Sequence, residues 1–283
     1  MDTSDLAKRM KNYEIRDRYF LQKRIPVAIR VDMRAGHTFT KGFERPFDKV
    51  FMKSMQETAK YMCENMGNAK FAYVQSDEIT IILVDYDTLK TDCWFNYRTD
   101  KLCSISASMA TMAFNKFFEK NVEIYIQNCA TDYETQGLCG EGTIEYDLCK
   151  IYQKALEKGA MFDARVFNIP KEEVANLIYW RQLDAARNSV QMVGQANFSH
   201  SELQGKTCNM IQDMLLTQKD INWNNFPIDC KRGAACIYDN YQNPDSITNG
   251  DIIKGWRIDR EMPIIKDENR EYVEKYIYIG EGM

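Results

Sequence analysis

Two hydrophobic patterns alternate along this chain and set the order of its elements. Phe51, Met55, Ala59, Met62 and Met66 recur at spacings of 4, 4, 3 and 4, the buried stripe of an amphipathic helix. Asp48 is placed to cap its start and Gly67 to end it. The pattern then changes to short apolar runs. Phe71–Val74 and Ile79–Val84 are rich in aromatic and β-branched residues and read as strands, with Gln75-Ser76-Asp77-Glu78 at the hairpin turn. Upstream, Val27–Val31 is a first strand opened by Pro26, and 5–24 predicts a polar, basic helix with Leu6, Met10 and Tyr13 at helical spacing. Downstream, Trp94–Phe118 predicts a long helix with Leu102, Ile105, Met109, Met112 and Phe117 on one side. The stretch 121–161, with Gly137, Gly140, Gly142 and Gly159, reads as an insertion of small helices and turns. Arg165–Ile169 is a fourth strand stopped by Pro170, and a helix over 171–191 opens a helical part that reaches about residue 220. A polar cluster, Asn222–Asn225, and a charged tail from about 246 complete the chain.

The order β-α-β-β-α-β predicts an α+β fold, a ferredoxin-like antiparallel sheet with flanking helices. In that topology the first and third strands are central neighbours. Asp32 ends the first and Asp77 precedes the third, so the fold would bring two carboxylates together. Adjacent strand residues face opposite sides, so Asp77 and Glu78 have different jobs. Paired Asp residues at neighbouring strand ends suit a two-metal phosphoryl-transfer site, because hard Mg²⁺ needs rigidly held oxygen ligands.

Composition narrows the class. Apolar residues make up 45% and charged residues 28% of the 283 positions, as in ordinary globular proteins. No apolar run approaches the roughly 18 residues of a membrane span, and the start, Met1 to Asp5, lacks the basic-then-apolar pattern of a signal peptide. The nine cysteines form no CxxC pair, and only His37 and His200 accompany them, which argues against zinc. Scattered thiols predict a cytoplasmic protein. Net charge is −4, yet residues 1–60 hold 14 Lys and Arg against 8 Asp and Glu, while 119–147 is acidic. A basic face is the footprint of a polyanion; an ordinary solvated surface explains the charge equally well.

The residues that carry the chemistry also carry a resemblance. Asp32 with Arg34, His37, Phe39-Thr40-Lys41-Gly42 and Pro46-Phe47-Asp48, then Tyr73, Gln75-Ser76-Asp77-Glu78, Trp94-Phe95 and Ala107-Ser108, resemble the tRNA-His guanylyltransferase family. Phe162-Asp163-Ala164-Arg165, Trp180-Arg181-Gln182, Leu203-Gln204-Gly205-Lys206 and Ile221-Asn222-Trp223-Asn224-Asn225 continue the pattern in order, so the match spans about 10–238. The resemblance implies a polymerase-palm-type catalytic domain over 1–238, followed by a C-terminal extension over 239–283. It implies a nucleotidyltransferase that adds nucleotides to the 5′ end of tRNA in the 3′–5′ direction, after ATP or GTP activates the 5′-phosphate.

Carried over residue by residue, the resemblance makes Asp32, Asp77 and the carbonyl of Met33 ligands of two Mg²⁺ ions, with Glu78 a further acid of the site. Arg30, Arg45, Arg98 and Lys101 would hold triphosphates, His37 and Ser76 would line the nucleotide pocket, and Arg34 and Lys41 would add nucleotide contacts. Arg98 and Lys101 are three apart, hence expected on one helix face. Arg165, Asn188, Lys206 and Asn224 would touch RNA, and the assembly would be a homotetramer. Two departures stand out. Met33 occupies a position where the family has Gly, and Ala186-Arg187-Asn188-Ser189-Val190-Gln191-Met192 replaces the His-Ile-Asn-Asn-Leu-Tyr-Asn segment of enzymes strict for tRNA-His. The second favours template-dependent repair of 5′-truncated tRNA. Strict guanylyl transfer, a nucleotide cyclase and a non-catalytic tRNA-binding module are the competing readings.

Overall fold

The computed structural model describes residues 4–16, 18–136, 143–242 and 252–279. It opens with helix α1 (Asp5–Ile15), capped by the Ser4 hydroxyl, which accepts from Ala7 N. None of its residues is buried. The helix expected over 5–24 therefore ends at 15, and Phe20 instead forms a lone antiparallel bridge with Arg98.

Strand β1 (Val27–Met33) leads through the short helix α2 (Gly36–Phe39) to helix α3 (Lys49–Asn65). Asp48 caps α3 as its chemistry predicts, its Oδ1 accepting from Phe51 N at 2.8 Å. The predicted stripe Phe51, Met55, Ala59, Met62 and Met66 is buried throughout. Strands β2 (Ala69–Gln75) and β3 (Glu78–Leu83) form the hairpin, whose connection is only Ser76 and Asp77, with Ser76 at φ 47°. Asp85, just beyond β3, is buried, and its carboxylate accepts from Arg24 N.

Helix α4 (Thr99–Gln136) is longer than the expected 94–118 and occupies much of the expected insertion. Trp94–Tyr97 is a separate 3₁₀ turn, in which Phe95, Asn96 and Tyr97 all have positive φ. The buried face of α4 also differs from the prediction. Leu102, Ser106, Ala110, Ala113, Phe114, Phe118 and Val122 face inward, whereas Ile105 and Met112 are exposed. Helix α5 (Ile144–Lys158) and strand β4 (Phe162–Asn168) follow. Gly137, Gly140 and Gly142 lie outside the described residues.

Helix α6 (Lys171–Asn197) runs beyond the expected 191, and helices α7 (His200–Leu203), α8 (Cys208–Lys219) and α9 (Ile228–Arg232) follow. Strands β5 (Ala234–Gln242) and β6 (Ile252–Asp259) extend the sheet before the short helix α10 (Glu271–Glu274). The division drawn at residue 238 falls inside β5.

Among the described residues six strands are ordered β4-β1-β3-β2-β5-β6, and every neighbouring pair is antiparallel. The first four strands reproduce the predicted ferredoxin-like order, with β1 and β3 adjacent. One face, through Ile29, Val31, Val74 and Ile81, packs on α3 and α4. The other, through Ala28, Phe71, Tyr73 and Ile82, packs under Val174, Leu177 and Ile178 of α6, with Val273 and Ile277 from the end of the chain.

Candidate active site

Cross-strand register orders the polar chemistry into rows. Asp32 on β1 lies opposite Glu78 on β3 and Asp163 on β4, and Gln75 on β2 lies opposite Glu78. Directly opposite residues present side chains on the same face. An acidic row, Asp163-Asp32-Glu78-Gln75, thus crosses the α6 side of the sheet. Two residues down, Arg165-Arg30-Thr80-Tyr73 makes a second row in the same register. Asp163 was quoted in the sequence only as part of a motif; strand pairing, which single-chain periodicity does not specify, is what brings it beside Asp32.

Asp77 joins this centre from the hairpin turn. Its carbonyl accepts from Met33 N at 3.1 Å, and its carboxylate rests against Gly36, where a β-carbon would lie 2.0 Å from Oδ2. Met33 sits at the end of β1 without a positive φ, its side chain 2% exposed in the core. An L-residue therefore satisfies the backbone there. Burial, then the nearby charges of Asp77, Glu78 and Asp163, push the Asp32 carboxyl up to about 6. Such like-charge crowding is what a divalent cation relieves. Asp32, Asp77 and the Met33 carbonyl form an all-oxygen donor set suited to hard Mg²⁺. Among the described residues, no group of three or more His, Cys, Asp or Glu side chains could hold a metal alone, so phosphate or water oxygens would have to complete the shell.

Glu78 has other partners. Its two oxygens accept from Nε and Nη2 of Arg181, both at 2.8 Å, and Arg30 Nε lies 3.4 Å from Oε1. Arg181 and Glu78 are both buried. This bidentate pair ties α6 to the sheet and places Glu78 as a positioning group rather than an open ligand. Arg181 went unassigned in the sequence, although it stands in the quoted Trp180-Arg181-Gln182.

Beside Asp77 opens a cavity of about 450 Å³. His37, Lys41, Arg45 and Ser76 line it, together with Asn188. Phe43, Phe47, Phe51, Met52 and Met192 supply apolar wall. Its floor is fixed by Asp48, which also accepts from Glu44 N and from the Tyr152 hydroxyl at 2.7 Å. Gln56 donates to Asp229 on the wall at 3.1 Å and accepts from Arg260 at 2.8 Å.

The remaining candidates are dispersed. Arg30 is buried in the second row, where desolvation lowers its pKa. Arg34 and Arg165 are exposed near the carboxylates. Lys206 lines a separate small hollow with Gln195 and His200, and Asn224 presents its backbone carbonyl to Lys231 Nζ. Arg98 and Lys101 do not share a helix face. Arg98 precedes α4 with extended ψ 116°, held by Asp100 at 2.8 Å, because the positive φ values at 95–97 stop any helix from starting earlier. Both lie at the end of the sheet where β1 begins, since Leu21 N donates to Tyr97 O and Gln22 N to Asn168. Five strand residues, about 17 Å, separate that end from Asp32.

Comparison with known proteins agrees with this geometry. Residues 7–170 match the family model described as Thg1, tRNAHis guanylyltransferase. A solved bacterial tRNA(His) guanylyltransferase (Thg1)-like protein in complex with ATP is 38% identical, with a TM-score of 0.75, covering 97% of this chain and 100% of that one. Its counterpart in complex with GTP is 35% identical, with a TM-score of 0.73, covering 98% and 100%. The tRNA(His) guanylyltransferase of Saccharomyces cerevisiae is 25% identical over 222 residues, 74% of this chain and 80% of that protein. The sheet, the carboxylate pair and the sequence match converge: this chain belongs to the Thg1 tRNAHis guanylyltransferase family and is a nucleotidyltransferase.

Proposed function

We propose that this protein adds nucleotides to the 5′ end of tRNA in the 3′–5′ direction, as a Mg²⁺-dependent, template-dependent repair enzyme for 5′-truncated tRNA. ATP or GTP activates the 5′-phosphate by nucleotidyl transfer with release of pyrophosphate. The 3′-hydroxyl of an incoming nucleoside triphosphate then attacks that phosphate, giving up its proton and displacing AMP or GMP. The observation that carries this reading is that Asp77, whose charge acts on Asp32, lines a cavity with His37, Lys41, Arg45 and Ser76. The ATP and GTP complexes of the similar bacterial proteins support it.

Phosphoryl transfer rests on positioning and charge stabilisation. Lys41 and Arg45 neutralise phosphate, and the aromatic and methionine wall takes the base. Gly36 and the Met33 amide fix Asp77, while the Arg181–Glu78 pair holds α6 over the sheet. Mg²⁺ on Asp32, Asp77 and the Met33 carbonyl would supply neutralisation of developing phosphate charge. Repair, rather than strict tRNA-His guanylyl transfer, is favoured by the Ala186–Met192 segment, whose Asn188, Ser189 and Met192 line the cavity. A cytoplasmic homotetramer is part of the proposal.

The test is extension of a labelled tRNA lacking its first nucleotide, with Mg²⁺, ATP and all four nucleoside triphosphates. Addition that follows the opposing acceptor-stem base and disappears in Asp77→Ala is expected. Guanylate added only to intact tRNA-His would move the protein to the strict branch. Tight tRNA binding without addition to either RNA would leave a binding module.

A further inference from the structure

The cavity lies on one side of the carboxylates; the other side is also built. On the α6 side of the sheet Arg30 stands two residues and about 7 Å along the same strand face from Asp32. Arg165 lies opposite Arg30 on the exposed edge strand. Over Arg30 lies Trp180 of α6, its ring centroid 5.3 Å from the guanidinium carbon, and Arg181 approaches the same ring at 4.8 Å. Trp180 nevertheless remains 53% exposed. Arg30 is 9% exposed; its Nε lies 3.4 Å from Glu78 Oε1 without a hydrogen bond, and among the described residues its Nη2 has no hydrogen-bond partner. Glu78 meets Arg30 only at Nε, which leaves Nη2 for a further anion, and a half-exposed indole backed by cations is a stacking surface for a base. Eight residues of α6, about 12 Å, separate Trp180 from Asn188 in the nucleotide cavity, so the two places are distinct.

We propose that Trp180 is the stacking platform for the terminal base of the RNA 5′ end, with Arg30 and Arg165 receiving its phosphates. This rests on the reading of the protein as acting on an RNA end. The incoming nucleotide and the RNA end then meet at Asp32 and Asp77 from opposite sides.

The experiment reads binding, not addition. A 5′-truncated tRNA and the same RNA with an abasic first residue are titrated against wild type, Trp180→Ala and Trp180→Phe, with ATP binding measured in parallel. Trp180→Ala is expected to weaken the truncated tRNA about tenfold or more, leave ATP binding unchanged and make no difference to the abasic RNA. Trp180→Phe keeps most of the affinity but loses the part of the tryptophan quenching that the RNA produces in wild type. Should Trp180→Ala fail to fold, that quenching in Trp180→Phe decides alone. Undiminished quenching in Trp180→Phe, wild-type affinity in Trp180→Ala, or an equal loss for the abasic RNA would overturn the proposal. A wild type that binds and quenches yet adds no nucleotide leaves the platform standing and removes the polymerase reading.

Discussion

Gly36 and the Asp77 carboxylate touch so closely that a β-carbon at 36 would lie 2.0 Å from Oδ2. Glycine is therefore required by the carboxylate, not by a turn. Gly36→Ala should displace Asp77 and lower nucleotide addition on the order of 100-fold, while costing only about 1–3 kcal/mol of stability. A rate assay beside urea unfolding checks this. An alanine variant with the wild-type rate would show that Asp77 has no fixed task.

Removing one partner of the Arg181–Glu78 pair leaves a buried charge with half its bonds. Arg181→Ala should destabilise the fold by about 3–5 kcal/mol. The charge-neutral Glu78→Gln should lose less, because an amide still accepts from Arg181. If Glu78 positions rather than ligates, Glu78→Gln shifts the unfolding midpoint while the Mg²⁺ concentration for half-maximal activity moves less than for Asp32→Asn. The opposite order would make Glu78 a ligand.

The Asp32 carboxyl, raised from 3.8 to about 6 chiefly by burial and then by Asp77, gives stability a definite pH sign. Its contribution is fully present below 3.8 and is lost as pH rises through about 6, because the fold prefers the protonated form. With EDTA present, Asp32→Asn should be more stable than wild type at about pH 7.5, by about 1 kcal/mol once solvent screening of this half-buried group is allowed for. The advantage should shrink towards zero near pH 4. Urea midpoints at the two pH values settle it, and a wild-type advantage at the higher one would contradict the crowding.

Arg98 and Lys101 stand too far from Asp32 to serve it within one chain. Their proposed triphosphate role and the proposed homotetramer agree only if one copy lends them to another. Asp77→Ala and Arg98→Ala subunits, each inactive alone, should then recover activity when assembled together. If mixing restores nothing and Arg98→Ala alone leaves the nucleotide KM unchanged, the two residues contact no nucleotide.

Local signals in the sequence carried the palm and its carboxylates. The methionine stripe of α3, the hairpin and the order of elements each follow from short-range periodicity, and strand order alone then placed Asp32 beside Asp77. What local reading missed depends on contact between distant elements. The buried face of α4 is built on Ser106, Ala110 and Ala113, where close approach rewards small side chains; counting large apolar residues pointed to Ile105 and Met112, which are exposed. Trp256 and Ile258 of β6 are only partly buried against the core, so an edge strand of half-charged sequence read as a tail. The shared helix face of Arg98 and Lys101 failed at three left-handed residues that no spacing rule reveals.

Arg260 reaches across 204 positions to Gln56, which in turn holds Asp229 on the cavity wall. Translation proceeds from the other end. A nascent chain has both carboxylates and Phe51 of α3 free of the ribosome long before Arg260 has been made. The cavity wall gains this brace only once Arg260 has been made, so a product stalled or clipped before it keeps its acidic centre while the cavity beside it stays unfinished.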